Sequence, residues 1–262
     1  MSKKIIAIGG GENGRMKKDI KTPYELELFD KEIIKLTNKA EPNFLFIGHA
    51  LSTLEAQESY YNLMKNMYEN KYGCRCKQLY IEDLYDKNKI KEVMNWSDIV
   101  YIGGGSTIDL VELWHKTGFD EIIKNAYENG KVICGISAGA NVLCKYCLSD
   151  SMQIKFGDDE PLIKLECLGL VDCLFVPHAH KEGRLEIVKE MLKSTNDIGI
   201  LLSNCAALEI IDDQYKIIIS DASFHGITAQ GLKVYWKDDE CIVEKIVEST
   251  ELNPLKKLLN RN

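Results

Sequence analysis

Short apolar, β-branched runs alternate with longer segments of helical spacing along the first half of the chain, and this alternation constrains the fold more than any other feature. The runs are KIIAIGG (4–10), NFLFIGHA (43–50), CKQLYIE (76–82), DIVYIGGG (98–105) and KVICGIS (131–137). Most end in glycine or a polar residue, as buried strands of a parallel sheet do. Between them, Leu26, Phe29, Ile33 and Leu36 fall three or four residues apart, and Leu54, Tyr61, Met64 and Met67 follow compatible intervals. Leu110, Leu113 and Trp114, then Phe119, Ile122, Ile123 and Ala126, give two further short apolar faces. Such alternation predicts βαβ units with right-handed crossovers: an α/β fold, its mostly parallel sheet flanked by helices.

After about residue 150 the pattern changes. Residues 151–168 read as a loop with a short helix, 169–178 as a strand and 182–194 as a helix. DIGILLSN, AALEIID, KIIIS and VYWKDDECIVEKI then follow closely, which predicts antiparallel strands or hairpins near the C-terminus. Residues 221–230 read as a loop, and ELNPLKKLLNRN as a short final helix. No repeat or Pro/Ser-rich linker divides the sequence, so residues 1–262 are read as a single domain.

Charge and cysteine usage exclude several classes of function. Lys and Arg number 33 against 40 Asp and Glu, a net charge of −7 spread along the chain. Nucleic acid and anionic membrane surfaces both need a clustered positive field, so neither is an expected partner. No apolar stretch approaches the roughly 18–20 uncharged residues of a membrane span, and a cytoplasmic protein acting on a small molecule is expected. The nine cysteines mostly sit in or beside apolar runs, where a reduced thiol behaves as a small hydrophobe. Cys144 and Cys147 have C-x-x-C spacing, but a redox pair should open a helix after a strand and a zinc site needs further ligands. No metal or cofactor is expected.

The chemistry concentrates in Gly135-Ile-Ser137-Ala-Gly139, a G-x-S-x-G pattern between a strand and a segment able to open a helix. Glycines on either side of the serine allow a sharp turn that raises its hydroxyl at the carboxyl end of the sheet. The bland alternative is a glycine-rich turn with an incidental N-cap serine. A serine nucleophile needs a base, and His178 in Phe175-Val-Pro-His178 ends a strand at the same sheet edge, with His180 a close alternative. For the group that orients the imidazole, Asp150 lies shortly after the elbow, while Glu166, Asp158, Asp159 and Glu209 stay open. Gly103-Gly-Gly105 exposes backbone N–H groups at a helix start, and Gly104 or Gly105 with the N–H of Ala138 suits an oxyanion. Gly9, Gly11 and Gly14 have dinucleotide-fingerprint spacing, but no helix start follows them. His49 ends a strand and is read as a possible pocket residue; His115 reads as structural, and His225 carries no specific mark.

Taken in order, Ile102-Gly-Gly-Gly-Ser-Thr107, Gly135-Ile-Ser-Ala-Gly-Ala140, Ser149-Asp-Ser-Met152 and Pro177-His178 with Glu182-Gly-Arg184 resemble the dipeptidase E (alpha-aspartyl dipeptidase) family of serine peptidases, relatives of cyanophycinase. The resemblance implies a fold like that of class I glutamine amidotransferases (flavodoxin-like), with serine at the elbow. It implies Ser137 as nucleophile, His178 as base, Asp150 as third member, and an oxyanion hole from Gly104, Gly105 and Ala138. Arg184, with Glu182 and His180 beside it, is then expected to hold the side-chain carboxylate of an N-terminal aspartate in a small peptide substrate. Two other readings remain: an amidase or esterase acting on a non-peptide acyl group, and a catalytically silent ligand-binding module. A homodimer is open if Trp114 and Phe119 are exposed; core packing explains them equally well.

Overall fold

The computed structural model describes residues 2–261. In chain order the elements are β1 (Lys4–Ile8), β2 (Met16–Lys17), β3 (Ile20–Lys21), α1 (Glu27–Lys35), β4 (Asn43–Ile47), α2 (Leu54–Lys65), β5 (Arg75–Leu79), α3 (Lys87–Trp96), β6 (Ile99–Ile102), α4 (Thr107–Thr117), α5 (Phe119–Glu128) and β7 (Val132–Ile136). There follow α6 (Ala138–Asn141), β8 (Cys144–Ser149), α7 (Ser151–Phe156), β9 (Ile163–Glu166), β10 (Val171–Val176), α8 (Arg184–Leu192), β11 (Gly199–Leu202), β12 (Ala206–Ile211), β13 (Gln214–Ile219), β14 (Gly231–Lys237), β15 (Glu240–Ile246), β16 (Asn253–Pro254) and α9 (Leu255–Leu259).

The main sheet has the order β16-β13-β12-β1-β7-β6-β4-β5. Its β1, β7, β6, β4 and β5 are parallel, as the first-half pattern requires, and β12 and β13 extend it antiparallel beside β1. β1, β4, β6 and β7 bury both faces, so they read as continuous apolar runs rather than as alternation.

A second sheet, β15-β14-β11-β10-β8-β9, departs from the expected single sheet with C-terminal hairpins. β11 lies parallel to β10, and β12 crosses to β1 in the other sheet, so DIGILLSN and AALEIID are not a hairpin. β10 is also parallel to β8, a strand that follows α6 after a single helical turn. One hydrophobic cluster runs through both sheets, joining Ile5, Ile102 and Ile133 of the first to Phe175, Ile200 and Leu202 of the second. Trp114 and Phe119 are fully buried in that cluster, so they are core and offer no dimer face. Cys144 and Cys147 sit on β8, both buried, and not at a helix start; none of the nine cysteines is disulfide-bonded. Among the described residues no helix is long and apolar enough to cross a membrane.

Candidate active site

The elbow forms because its two glycines lie where no side chain fits. A Cβ on Gly135 would come within 2.2 Å of the Gly139 carbonyl oxygen, and one on Gly139 within 2.0 Å of the Ile102 oxygen. Between them Ser137 adopts φ 54° and ψ −113°, a strained conformation for a residue with a side chain. Its N–H is tied to the Ile8 carbonyl, and its carbonyl accepts the N–H groups of Ala140 and Asn141 as α6 opens. The strain is thus held in place by β1 on one side and α6 on the other.

His178 meets this serine from the second sheet. It follows β10 with φ 51°, and its N–H donates to the Gly9 carbonyl at the end of β1, so the carboxyl ends of the two sheets face each other. The Nε2 of His178 lies 2.9 Å from Ser137 Oγ, and its Nδ1 lies 2.6 Å from Asn204 Oδ1. An imidazole that accepts the serine proton at Nε2 carries its own proton on Nδ1, so Nδ1–H donates to the Asn204 oxygen. Burial pulls the His178 imidazole down to about 4, the Asn204 hydrogen bond opposes this, and the charges of Lys181 and Arg184 add to the lowering. It is therefore neutral at pH 7 and able to accept a proton.

Asn204 replaces the acid expected at this position. It stands just beyond the end of β11, the parallel neighbour of β10, which brings it beside His178. Asp150 does not reach His178. Its Oδ2 accepts from Arg184 Nη2 at 2.7 Å, while Arg184 Nη1 donates to the Pro177 carbonyl at 2.8 Å. Arg184 is 2% exposed and tied by both terminal nitrogens, so the expected substrate-holding arginine is a buried brace under the strand end that presents His178. Of the other acids, Glu166, Asp158 and Asp159 are exposed, and Glu209 is buried on β12 with Lys216 at 3.4 Å. Glu182 is exposed, and His180 Nδ1 accepts the backbone N–H of Asn204 at 3.3 Å, behind His178 rather than beside Ser137.

The first glycine run serves close approach. A Cβ on Gly10 would stand 2.2 Å from Asn204 Oδ1 and 2.5 Å from His178 Nδ1, so only glycine lets β1 end against their hydrogen bond. The Gly10 carbonyl also accepts the Cys205 N–H. Gly104 lies over the serine, where an added Cβ would sit 3.4 Å from Ser137 Cβ, and Gly105 holds φ 146° against the Ala50 carbonyl. The loop expected to bind an oxyanion is therefore placed beside the hydroxyl. His49 is buried away from the cleft, Nε2 on the Leu79 carbonyl and Nδ1 accepting from Trp114, and His115 pairs with Asp120.

In front of Ser137 and His178 opens a cleft of about 1240 Å³. The β2–β3 hairpin contributes Arg15 and Lys21 to it, and α2 contributes Glu55, Glu58 and Tyr60. Burial pushes the Tyr60 phenol up to about 12, so it faces the cleft uncharged. A comparable cavity of about 1180 Å³ lies at the opposite, amino edge of the main sheet, lined by Lys4, Asp98 and Lys131 and holding neither Ser137 nor His178.

The family model of peptidase family S51 matches residues 5–218. The chain belongs to peptidase family S51. YgaJ of Bacillus subtilis strain 168, an uncharacterized peptidase, is 29% identical over 237 residues, 84% of this chain and 89% of its own length. Peptidase E of Nostoc sp. strain PCC 7120 is 29% identical over 139 residues, 48% of this chain and about half (54%) of the relative. Among solved structures, a peptidase from an acI-B1 Actinobacterium superposes with a TM-score of 0.67 at 20% identity, covering 96% of both chains. A candidate Peptidase E from Listeria monocytogenes EGD-e gives 0.60 at 21%, covering 84% of this chain and 99% of its own. These two show that the fold is that of peptidase E-like proteins. Family S51 membership makes this chain a peptidase, and its serine-based, peptidase E-like character follows from the same match.

Proposed function

We propose that this S51 peptidase cleaves short peptides through an acyl-enzyme on Ser137, with His178 as general base and Asn204 as the group that orients it. The observation that carries the reading is the 2.9 Å contact of a neutral, half-buried imidazole with a serine hydroxyl held on a strained elbow. His178 Nε2 takes the Ser137 proton as Oγ attacks the scissile carbonyl, and the resulting imidazolium returns it to the leaving amine. Water activated by the same imidazole then hydrolyses the ester. Backbone N–H groups of the Gly104–Gly105 loop and Ala138 hold the oxyanion, each such donor supplying about 3 kcal/mol of barrier lowering.

Substrate selection rests on the cleft. With Arg184 sealed by Asp150, the cations available to a substrate carboxylate are Arg15 and Lys21 on the hairpin, while Glu55 and Glu58 face them from α2. A zwitterionic peptide fits such a divided wall: its ammonium group goes to the acidic helix and a carboxylate to the hairpin. Peptides with an N-terminal aspartate belong to this class. A dipeptide panel of Asp-X, Glu-X and neutral sequences, run with wild type and Ser137→Ala beside simple esters, tests chemistry and specificity together. Loss of all turnover in Ser137→Ala is expected; peptide turnover that survives it would end the serine mechanism.

A further inference from the structure

Asn204 has an amide that can turn over, and only one of its two orientations serves His178. With Oδ1 on His178 Nδ1, its Nδ2 points away from Ser137 toward the His225 ring, 3.1 Å from Nε2 and 3.4 Å from Nδ1. The Nε2 of His225 in turn lies 2.8 Å from Glu25 Oε2. A carboxylate accepts only, so Nε2–H donates to Glu25, and the Asn204 NH2, close to both ring nitrogens, lies across the His225 ring and donates to it. If the amide turned over, its NH2 would face the His178 Nδ1–H and its oxygen would face the His225 ring, leaving His178 without an acceptor.

Glu25 is itself fixed. It is buried, its Oε2 also accepts the Glu12 N–H at 2.7 Å, and its backbone N–H donates to the Glu12 carbonyl. Glu12 and Glu25 are the base of the segment that carries the β2–β3 hairpin, whose Arg15 and Lys21 line the cleft. Glu25, Cys205 and His225 bring ligand-type atoms within 4.8 Å of one another. The Glu25 carboxylate, however, is engaged by the Glu12 N–H and the imidazole, so the cluster reads as a hydrogen-bonded brace.

We infer that His225 and Glu25 are positioning residues: they hold the Asn204 amide in the one orientation that keeps His178 aimed at Ser137. This rests on the serine–histidine reading above and extends it by two residues, from the hairpin base and from the loop after β13. The chain of contacts also ties the wall that meets substrate to the base that performs the chemistry.

The test uses the rate at which a fluorophosphonate labels Ser137 in the full chain, together with kcat and KM on any dipeptide found active. If wild type is not labelled, the serine mechanism itself fails, which separates that failure from failure of this inference. Given labelling, His225→Ala is expected to lower the rate constant and kcat about tenfold, the loss of one orienting hydrogen bond, with KM within about twofold. His225→Gln, whose amide can both donate to Glu25 and accept from Asn204, is expected to recover most of this. In an Asn204→Ala background, His225→Ala should cost nothing further, because its effect runs through that amide. Unchanged labelling in His225→Ala, no rescue by glutamine, or an additive loss in the double variant would each overturn the inference. Should His225→Ala fail to fold, Glu25→Leu, which removes the acceptor that fixes the His225 ring, carries the same comparison, alone and with Asn204→Ala.

Discussion

Replacing Asn204 by aspartate adds one negative charge, without a change of shape, at an atom 2.6 Å from His178 Nδ1. Burial holds the His178 imidazole at about 4 because no opposite charge touches it. A carboxylate in direct contact raises a histidine by about 1–3 units, so the value in Asn204→Asp is expected between about 5 and 7. Activity requires the neutral imidazole: it is present above the His178 value and lost as pH falls through it. The acid limb of the pH profile of kcat/KM, or of Ser137 labelling, should therefore move from near pH 4 in wild type to about pH 5–7. The same charge stabilises the imidazolium formed during attack, so the plateau at pH 8 should rise about three- to tenfold, each tenfold corresponding to about 1.4 kcal/mol. Two features restrain the gain. The new oxygen loses the amide donation to His225 and faces the Glu25 carboxylate beyond it. Asn204→Ala, which removes the acceptor without adding charge, should slow turnover about ten- to hundredfold with little movement of the limb. An acid limb in Asn204→Asp that coincides with that of wild type would refute the assignment of Asn204 to His178.

Asp150→Ala leaves the Arg184 guanidinium buried without its partner, so a stability loss of about 3 kcal/mol is expected in denaturant melts. Its kcat in the folded enzyme should stay far above that of Asn204→Ala, and the reverse order would restore Asp150 to the triad. Burial pulls His49 down to about 4, so the stability it contributes is fully present above its unfolded value of about 6.5 and is lost as pH falls from there toward 4. That amounts to about 3 kcal/mol, and His49→Gln should flatten the fall in Tm between pH 7 and pH 4 relative to wild type. Asp30 works in the opposite sense: burial pushes it up to about 7, with Tyr24 and Tyr68 donating to its oxygens. Its contribution is lost as pH rises from about 4 to 7, so Asp30→Asn should be relatively less stable at pH 4 and more stable at pH 8 in the same melts.

The parts of this site legible in the sequence are those fixed by local geometry. A strand running into Gly135-Ile-Ser137-Ala-Gly139 allows one compact turn, and the Cβ contacts at Gly135 and Gly139 show why both must be glycine. Pro177-His178 closes a strand, and its place at a strand's carboxyl end is legible, although that strand belongs to the second sheet and meets Ser137 from across the cleft. What stayed hidden depends on pairings between distant segments. Nothing within DIGILLSN marks it as the parallel neighbour of β10 rather than one arm of a hairpin, yet that register alone carries Asn204 to His178. A search for carboxylates also passes over an asparagine that ends a strand, because such a residue has an ordinary reading as a turn former. Gly9, Gly11 and Gly14 have dinucleotide-fingerprint spacing without the helix start that would go with it, and the need at Gly10 is to clear an imidazole and an amide from the far half of the chain.

The misplacement of Asp150 and that of Arg184 have one cause, and it bears on chemistry. The family resemblance gives each side chain a separate task, the acid to the imidazole and the base to a substrate carboxylate, but 34 residues apart in sequence they neutralise each other in the interior. Sealing an arginine there requires a partner, because an unpaired buried guanidinium costs about 3–5 kcal/mol. The carboxylate spent on Arg184 is then unavailable to His178, which is left with a neutral amide and a low proton affinity. A base of this kind stays unprotonated well below pH 6 but gains less from charge when it accepts the serine proton. On the proposed mechanism the arrangement is expected to exchange plateau rate for activity in acid. Asn204→Asp measures both sides of that exchange in a single pH profile.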